Sequence, residues 1–141
     1  MTPAPAAMPF LGTWKLTSIV ATSAIEVPMP QQSLVRFEQQ ADGIHYTADG
    51  TLPSGQTMHA EAVFQLDGQP YAMRGSLLGD AMSVMPLDSR RSEVTLLRAG
   101  VPAVKILAAV SADSQQMTGS WEIHTPGGTA TYATISARQA E

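Results

Sequence analysis

A chain of 141 residues predicts one domain, large enough to bury a single core. With 12 acidic against 8 basic residues and no cluster of Lys or Arg, it lacks the footprint of a nucleic-acid binder. The absence of cysteine excludes disulfides and thiolate metal sites, and charged residues at only 14% set the chain among globular rather than disordered proteins.

Residues 1–9 carry prolines at 3, 5 and 9 and lack both a basic n-region and a continuous apolar h-region. They read as an N-terminal arm rather than a signal peptide, ahead of a single β-barrel domain over 10–141. No window approaches 18 apolar residues, so no membrane span is predicted, and a cytoplasmic location is the expectation.

The first strand opens on Phe10-Leu11-Gly12-Thr13-Trp14-Lys15-Leu16. Alternation turns Trp14 and Leu16 to a core and Lys15 and Thr17 to water, and runs on through Ser18, Ile19 and Val20. Turn chemistry then recurs at short intervals, at Asp42-Gly43, Asp49-Gly50, Pro53-Ser54-Gly55, Asp67-Gly68, Gly79-Asp80, Ala99-Gly100, Asp113-Ser114 and Pro126-Gly127-Gly128. Arg90-Arg91 reads as a solvated turn. Between these signals lie segments of period 2, which predict ten strands near 11–20, 33–40, 43–48, 57–66, 70–75, 81–86, 92–98, 102–110, 116–124 and 129–138. Residues 21–32, with Pro28 and Pro30, form the longest connection, a short helical turn or a lid over an open end. The fold class is all-β, a sandwich or an up-and-down antiparallel barrel.

Register tests that reading. Tight hairpins pair Phe64 with Tyr71 and Ala62 with Met73, Trp121 with Tyr132 and Ile123 with Ala130, and Leu96 with Val104 and Val94 with Ile106. Apolar meets apolar each time, which favours successive hairpins closing into a barrel that leaves no edge exposed.

Gly12-Thr13-Trp14 on the first strand of such a meander resembles the Gly-x-Trp opening of lipocalins and related calycin barrels. More narrowly, Gly12-Thr13-Trp14-Lys15-Leu16 resembles a bacterial family of lipocalin-like domains. So do Asp42-Gly43-Ile44, Leu66-Asp67-Gly68-Gln69-Pro70-Tyr71, Arg74-Gly75-Ser76 and the turn from Val110-Ser111 to Asp113. The resemblance implies a barrel of eight to ten strands and a late arginine stacked on the first-strand tryptophan. Arg138 has the parity for that role. The lipocalin Thr-Asp-Tyr loop is missing, so a ten-strand barrel like the fatty-acid-binding proteins stays open beside a strict eight-strand one.

Parity places Trp14, Phe37, Tyr46, Met58, Phe64 and Tyr71 inside, with Met73, Trp121 and Tyr132. Ala60, Ala62, Gly119 and Ala130 keep the interior small-sided. Such a barrel is filled by its own side chains or holds one small hydrophobic ligand, with those nine residues as its wall. The three phenols are the polar handles of such a pocket.

Chemistry is sparsely signalled. A hairpin about the Asp49–Gln56 segment would set His45 opposite His59 on the outer face, short of the three or four ligands zinc takes, so no metal site is predicted. Glu122 with His124, and His59 with Glu61, are acid–base couples whose parity points to water. With no dinucleotide or phosphate fingerprint, any enzyme here works without a cofactor. Three functions follow. One is a carrier of a hydrophobic or aromatic small molecule. A second is a cofactor-free isomerase, cyclase or lyase using Tyr46 or Tyr132, with Glu122 and His124 in reserve. The third is an interaction module with a filled core, monomeric or dimeric through the strand bearing Met82 and Met85.

Overall fold

The computed structural model describes residues 9–76 and 78–140. Apart from Pro9, the arm expected over 1–9 lies outside them. Ten antiparallel strands follow in chain order: β1 (Gly12–Ala21), β2 (Gln32–Gln40), β3 (Gly43–Thr51), β4 (Thr57–Phe64), β5 (Tyr71–Arg74), β6 (Ala81–Pro86), β7 (Arg91–Arg98), β8 (Val101–Val110), β9 (Gln116–Thr125) and β10 (Gly128–Arg138). Each pairs with its neighbours in sequence, and β10 pairs back onto β1, closing a barrel.

Period-2 alternation produces this closure. In β4, Ala60, Ala62 and Phe64 are buried while His59 and Val63 turn outward, and in β9 Ile123 is buried between exposed Glu122 and His124. The hairpins keep the expected register at Ala62–Met73, Trp121–Tyr132, Ile123–Ala130, Leu96–Val104 and Val94–Ile106.

Three features depart from the simple pattern, one of them a register shift between Leu96 and Leu97 in the β7–β8 pair. A bulge at Thr17 shifts the β1–β10 register, so that Leu16 pairs with Ser136 but Ser18 with Ile135. The parity of β1 flips there: Ile19 turns to the interior and Val20 is 55% exposed. The β3–β4 hairpin is also longer than Asp49-Gly50 suggests. β3 continues to Thr51, the turn lies at Leu52–Gln56, and Asp49, not His45, pairs with His59. His45 pairs with Val63. The offset is even, so both imidazoles stay on the outer face.

The connection 22–31 forms no helix. It crosses one end of the barrel, tied by Thr22 to Thr131, by Gln31 to Thr51 and, through Val27, to Tyr132, and it buries Met29.

Closure is locked where the first and last strands meet. Trp14 is 1% exposed and donates its indole N–H to the Phe10 carbonyl at 2.7 Å. The Arg138 guanidinium lies over its ring, 4.3 Å from the centroid. Arg138 also donates to the carbonyls of Leu11 and Ser114, each at 2.6 Å, and to that of Pro9. Gly12 (φ +119°) makes room for it, because a Cβ there would stand 2.5 Å from Arg138 Nη1.

Replacing Arg138 by Met, which keeps the stem and removes the fork, is expected to lower stability by about 2–4 kcal/mol in urea unfolding. Lys at 138 should recover less than half of that, since one ammonium cannot serve three divergent carbonyls. An unchanged midpoint in R138M would contradict the lock.

Candidate functional site

The barrel is hollow. Its larger chamber, of about 510 Å³, is walled by Trp14, Phe37, Phe64, Met82, Val84 and Trp121 among others. Its mouth lies beside Pro9, Phe10 and the β6–β7 turn, where Asp88, Ser89 and Arg90 form the rim. A smaller chamber of about 140 Å³ lies beneath Pro28, Met29 and Pro30 of the crossing segment, with Met58 and Met73 in its wall. Val35, Tyr46, Leu96, Trp121, Thr134 and Ser136 line both chambers and so form a waist between them.

Space survives here because small side chains stand among large ones. Gly119 is one such position: a Cβ on it would fall 2.5 Å from Thr134 Oγ1 and 2.8 Å from Trp121 Nε1. That gap lets the Trp121 indole N–H reach Thr134 Oγ1 at 3.1 Å. Around the larger chamber, Phe37 stacks edge-on against Phe10 and Phe64 (centroids 5.4 and 6.3 Å) and tilts against Tyr46 at 5.4 Å.

The three phenols have different fates. Tyr46 reaches the waist and lines both chambers. Its hydroxyl has no hydrogen-bond partner among the described residues, and burial pushes its pKa up to about 12. Tyr132, expected in the pocket wall, does not line either chamber. Its hydroxyl accepts the Val27 N–H at 2.8 Å and donates to the Val27 carbonyl at 2.9 Å, so it pins the crossing segment. Tyr71 also misses the cavity. Its ring packs on the core, but its hydroxyl donates to Asp67 at 2.6 Å in solvent, and that bond raises its pKa.

Charged groups stay on the outside or at the rim. Glu122 and His124 are exposed on β9. On the outer wall His59 sits 2.6 Å from Asp49 and 3.5 Å from Glu61, which is paired with Arg74; the Asp49 hydrogen bond is the main cause of its raised pKa. His45 pairs with Asp42 at 2.6 Å. No group of three metal-ligating side chains is found among the described residues. Arg90, expected in a solvated turn, folds back half-buried onto the Ser111 carbonyl and Ser114 Oγ. Asp88 is held below the usual carboxylate range by the Arg90 backbone N–H first and by Arg91 after it.

Sequence parity missed several lining residues. Met82 and Val84 face the lumen from β6, so Met82 is not available to a dimer surface. Thr134 and Ser136 share the parity of Tyr132 on β10, but hydroxyl residues do not register in an apolar pattern. Phe10 precedes the first strand and has no alternation to reveal it.

Neither a protein-family model nor a curated protein sequence matches the chain. Two solved structures share the architecture over nearly its whole length. Zebrafish ileal bile acid-binding protein, complexed with cholic acid, aligns with a TM-score of 0.58 at 13% identity, covering 93% of this chain and 99% of its own. The S-type phycobiliprotein lyase CPES of Guillardia theta aligns at 0.59 and 12% identity, covering 96% and 91%. The chain has the lipocalin-like calycin fold. Within that fold, the hollow calycin interior is where this chain concentrates its aromatic rings and its one unengaged phenol.

Burial of Tyr46 has a pH signature. Unfolded, its phenol ionises near 10; folded, it stays protonated to about 12. The stability it contributes is therefore complete below pH 10 and lost as pH rises through 12. In alkaline titration followed by phenolate absorbance, Tyr46→Phe is expected to remove a phase that titrates near pH 12 in the folded protein.

Proposed function

We propose that this calycin barrel binds a small apolar or aromatic molecule in its larger chamber. The observation that carries the reading is the chamber itself: about 510 Å³, apolar, with aromatic walls and few polar groups. That volume lies in the range of small-molecule sites, about 300–1,000 Å³. Burying about 200 Å² of apolar ligand surface gives roughly 5 kcal/mol before the costs of association. One structural neighbour is named for binding a bile acid, which agrees with this use of the fold.

Binding is favoured over catalysis by the state of the candidate acids. Tyr46, at about 12, is a weak proton donor near neutral pH. Tyr132 is engaged at both of its hydrogen-bonding positions by Val27. Glu122 and His124 stand on the far side of the wall from the cavity.

Trp14 and Trp121 both line the larger chamber and report on it. A panel of hydrophobic ligands, including anilinonaphthalene sulfonate and flat aromatic hydrocarbons, is expected to change the intrinsic fluorescence saturably at one site per chain. Ala108→Phe, which fills the chamber from β8, should reduce binding at least tenfold while the β-sheet circular dichroism is retained. A panel without any saturable response would overturn the proposal.

A further inference from the structure

The geometry points to a neutral, elongated apolar ligand with one carbonyl oxygen, which accepts a hydrogen bond from Tyr46 at the waist while the apolar parts fill the chambers on either side. This rests on the cavity-binding reading above and adds to it the chemistry of the ligand.

Tyr46 is the only one of the three phenols whose hydroxyl is unengaged, and it lines both chambers. Its oxygen opens onto cavity space rather than onto packed protein. A donor that opens onto a mainly apolar cavity without a protein acceptor is poorly satisfied there, so an acceptor placed against it gains more than it would in water. The neighbouring indole N–H is already given to Thr134. Burial keeps the phenol protonated at all physiological pH, so it serves as a donor.

Charge is excluded by what surrounds the waist. No Lys or Arg lines it among the described residues. Arg138 is committed to three carbonyls and stands off the lumen behind Trp14, and Arg90 belongs to the rim. A carboxylate at the waist would lose its hydration without gaining a counter-ion. Thr134 and Ser136 are the other hydroxyl residues with access to both chambers; Thr134 accepts the Trp121 indole N–H, and the test separates Ser136 from Tyr46.

Three naphthalenes of similar shape make the test: 2-acetylnaphthalene, 2-ethylnaphthalene and 2-naphthoate, titrated by tryptophan fluorescence against the full-length chain and its Tyr46→Phe and Ser136→Ala variants. The ketone is expected to bind the parent about tenfold tighter than the carboxylate. Tyr46→Phe should weaken the ketone about tenfold and leave the ethyl compound within twofold, which also serves as the control for folding. Equal effects on ketone and ethyl compound, a loss carried by Ser136→Ala instead, or tightest binding by the carboxylate would each overturn the inference. A protein that binds the hydrocarbon normally but ignores the Tyr46 hydroxyl removes this inference alone; one that binds nothing removes the cavity reading itself.

Discussion

The structure depends on joining its two ends. A ten-strand meander is a strip until β10 meets β1, and that pairing brings together residues more than 110 positions apart in the chain. Loop closure over such a distance is entropically unfavourable and needs a specific reward. The Arg138 fork supplies it by holding Pro9, Leu11 and Ser114 around the buried face of Trp14. The glycine and tryptophan of the opening motif are thus two parts of one contact. Gly12 yields the space that the guanidinium occupies, and Trp14 yields the ring on which it rests.

Closing the strip creates an inside, and its residue sizes keep that inside open. Had Gly119, Ala60 and Ala108 been leucines, they would have filled much of the space the chambers now hold. Instead, small residues leave room beside rigid rings, and Met29, Met58 and Met73 supply adaptable surface under the crossing segment. The crossing segment is itself held by a phenol, Tyr132, that a purely apolar pattern would assign to the cavity wall.

Strand number, meander order and three hairpin registers were legible in the sequence, because each follows from local alternation and short turns, whereas the Trp14–Arg138 contact was implied only by the resemblance to lipocalins. Asp49-Gly50 misled because a turn dipeptide was competing with continued pairing to β2 and β4, and pairing won. The bulge at Thr17 left no mark in composition. The division of labour among Tyr46, Tyr71 and Tyr132 was equally hidden. All three share one parity, and their roles depend on whether Asp67 or Val27 comes within reach of the hydroxyl, a matter of tertiary placement.

Polarity is sorted across the wall more sharply than shape is sorted within it. The ion pairs Arg36–Glu38, Lys105–Glu93 and His59–Asp49 lie in solvent, where each contributes little to stability. Their consequence is for the lumen: these charges turn outward, leaving a mainly apolar space whose few polar groups are hydroxyls, Tyr46 and Ser136 among them. Rings, methionines and open volume accept many outlines, so shape alone discriminates weakly. A few hydroxyls in a mainly apolar container would discriminate more strongly, because a ligand that fails to meet them forgoes their hydrogen bonds and a ligand that brings charge finds no counter-ion at the waist. On the proposed reading, selectivity would reside at Tyr46 and capacity in the apolar volume around it.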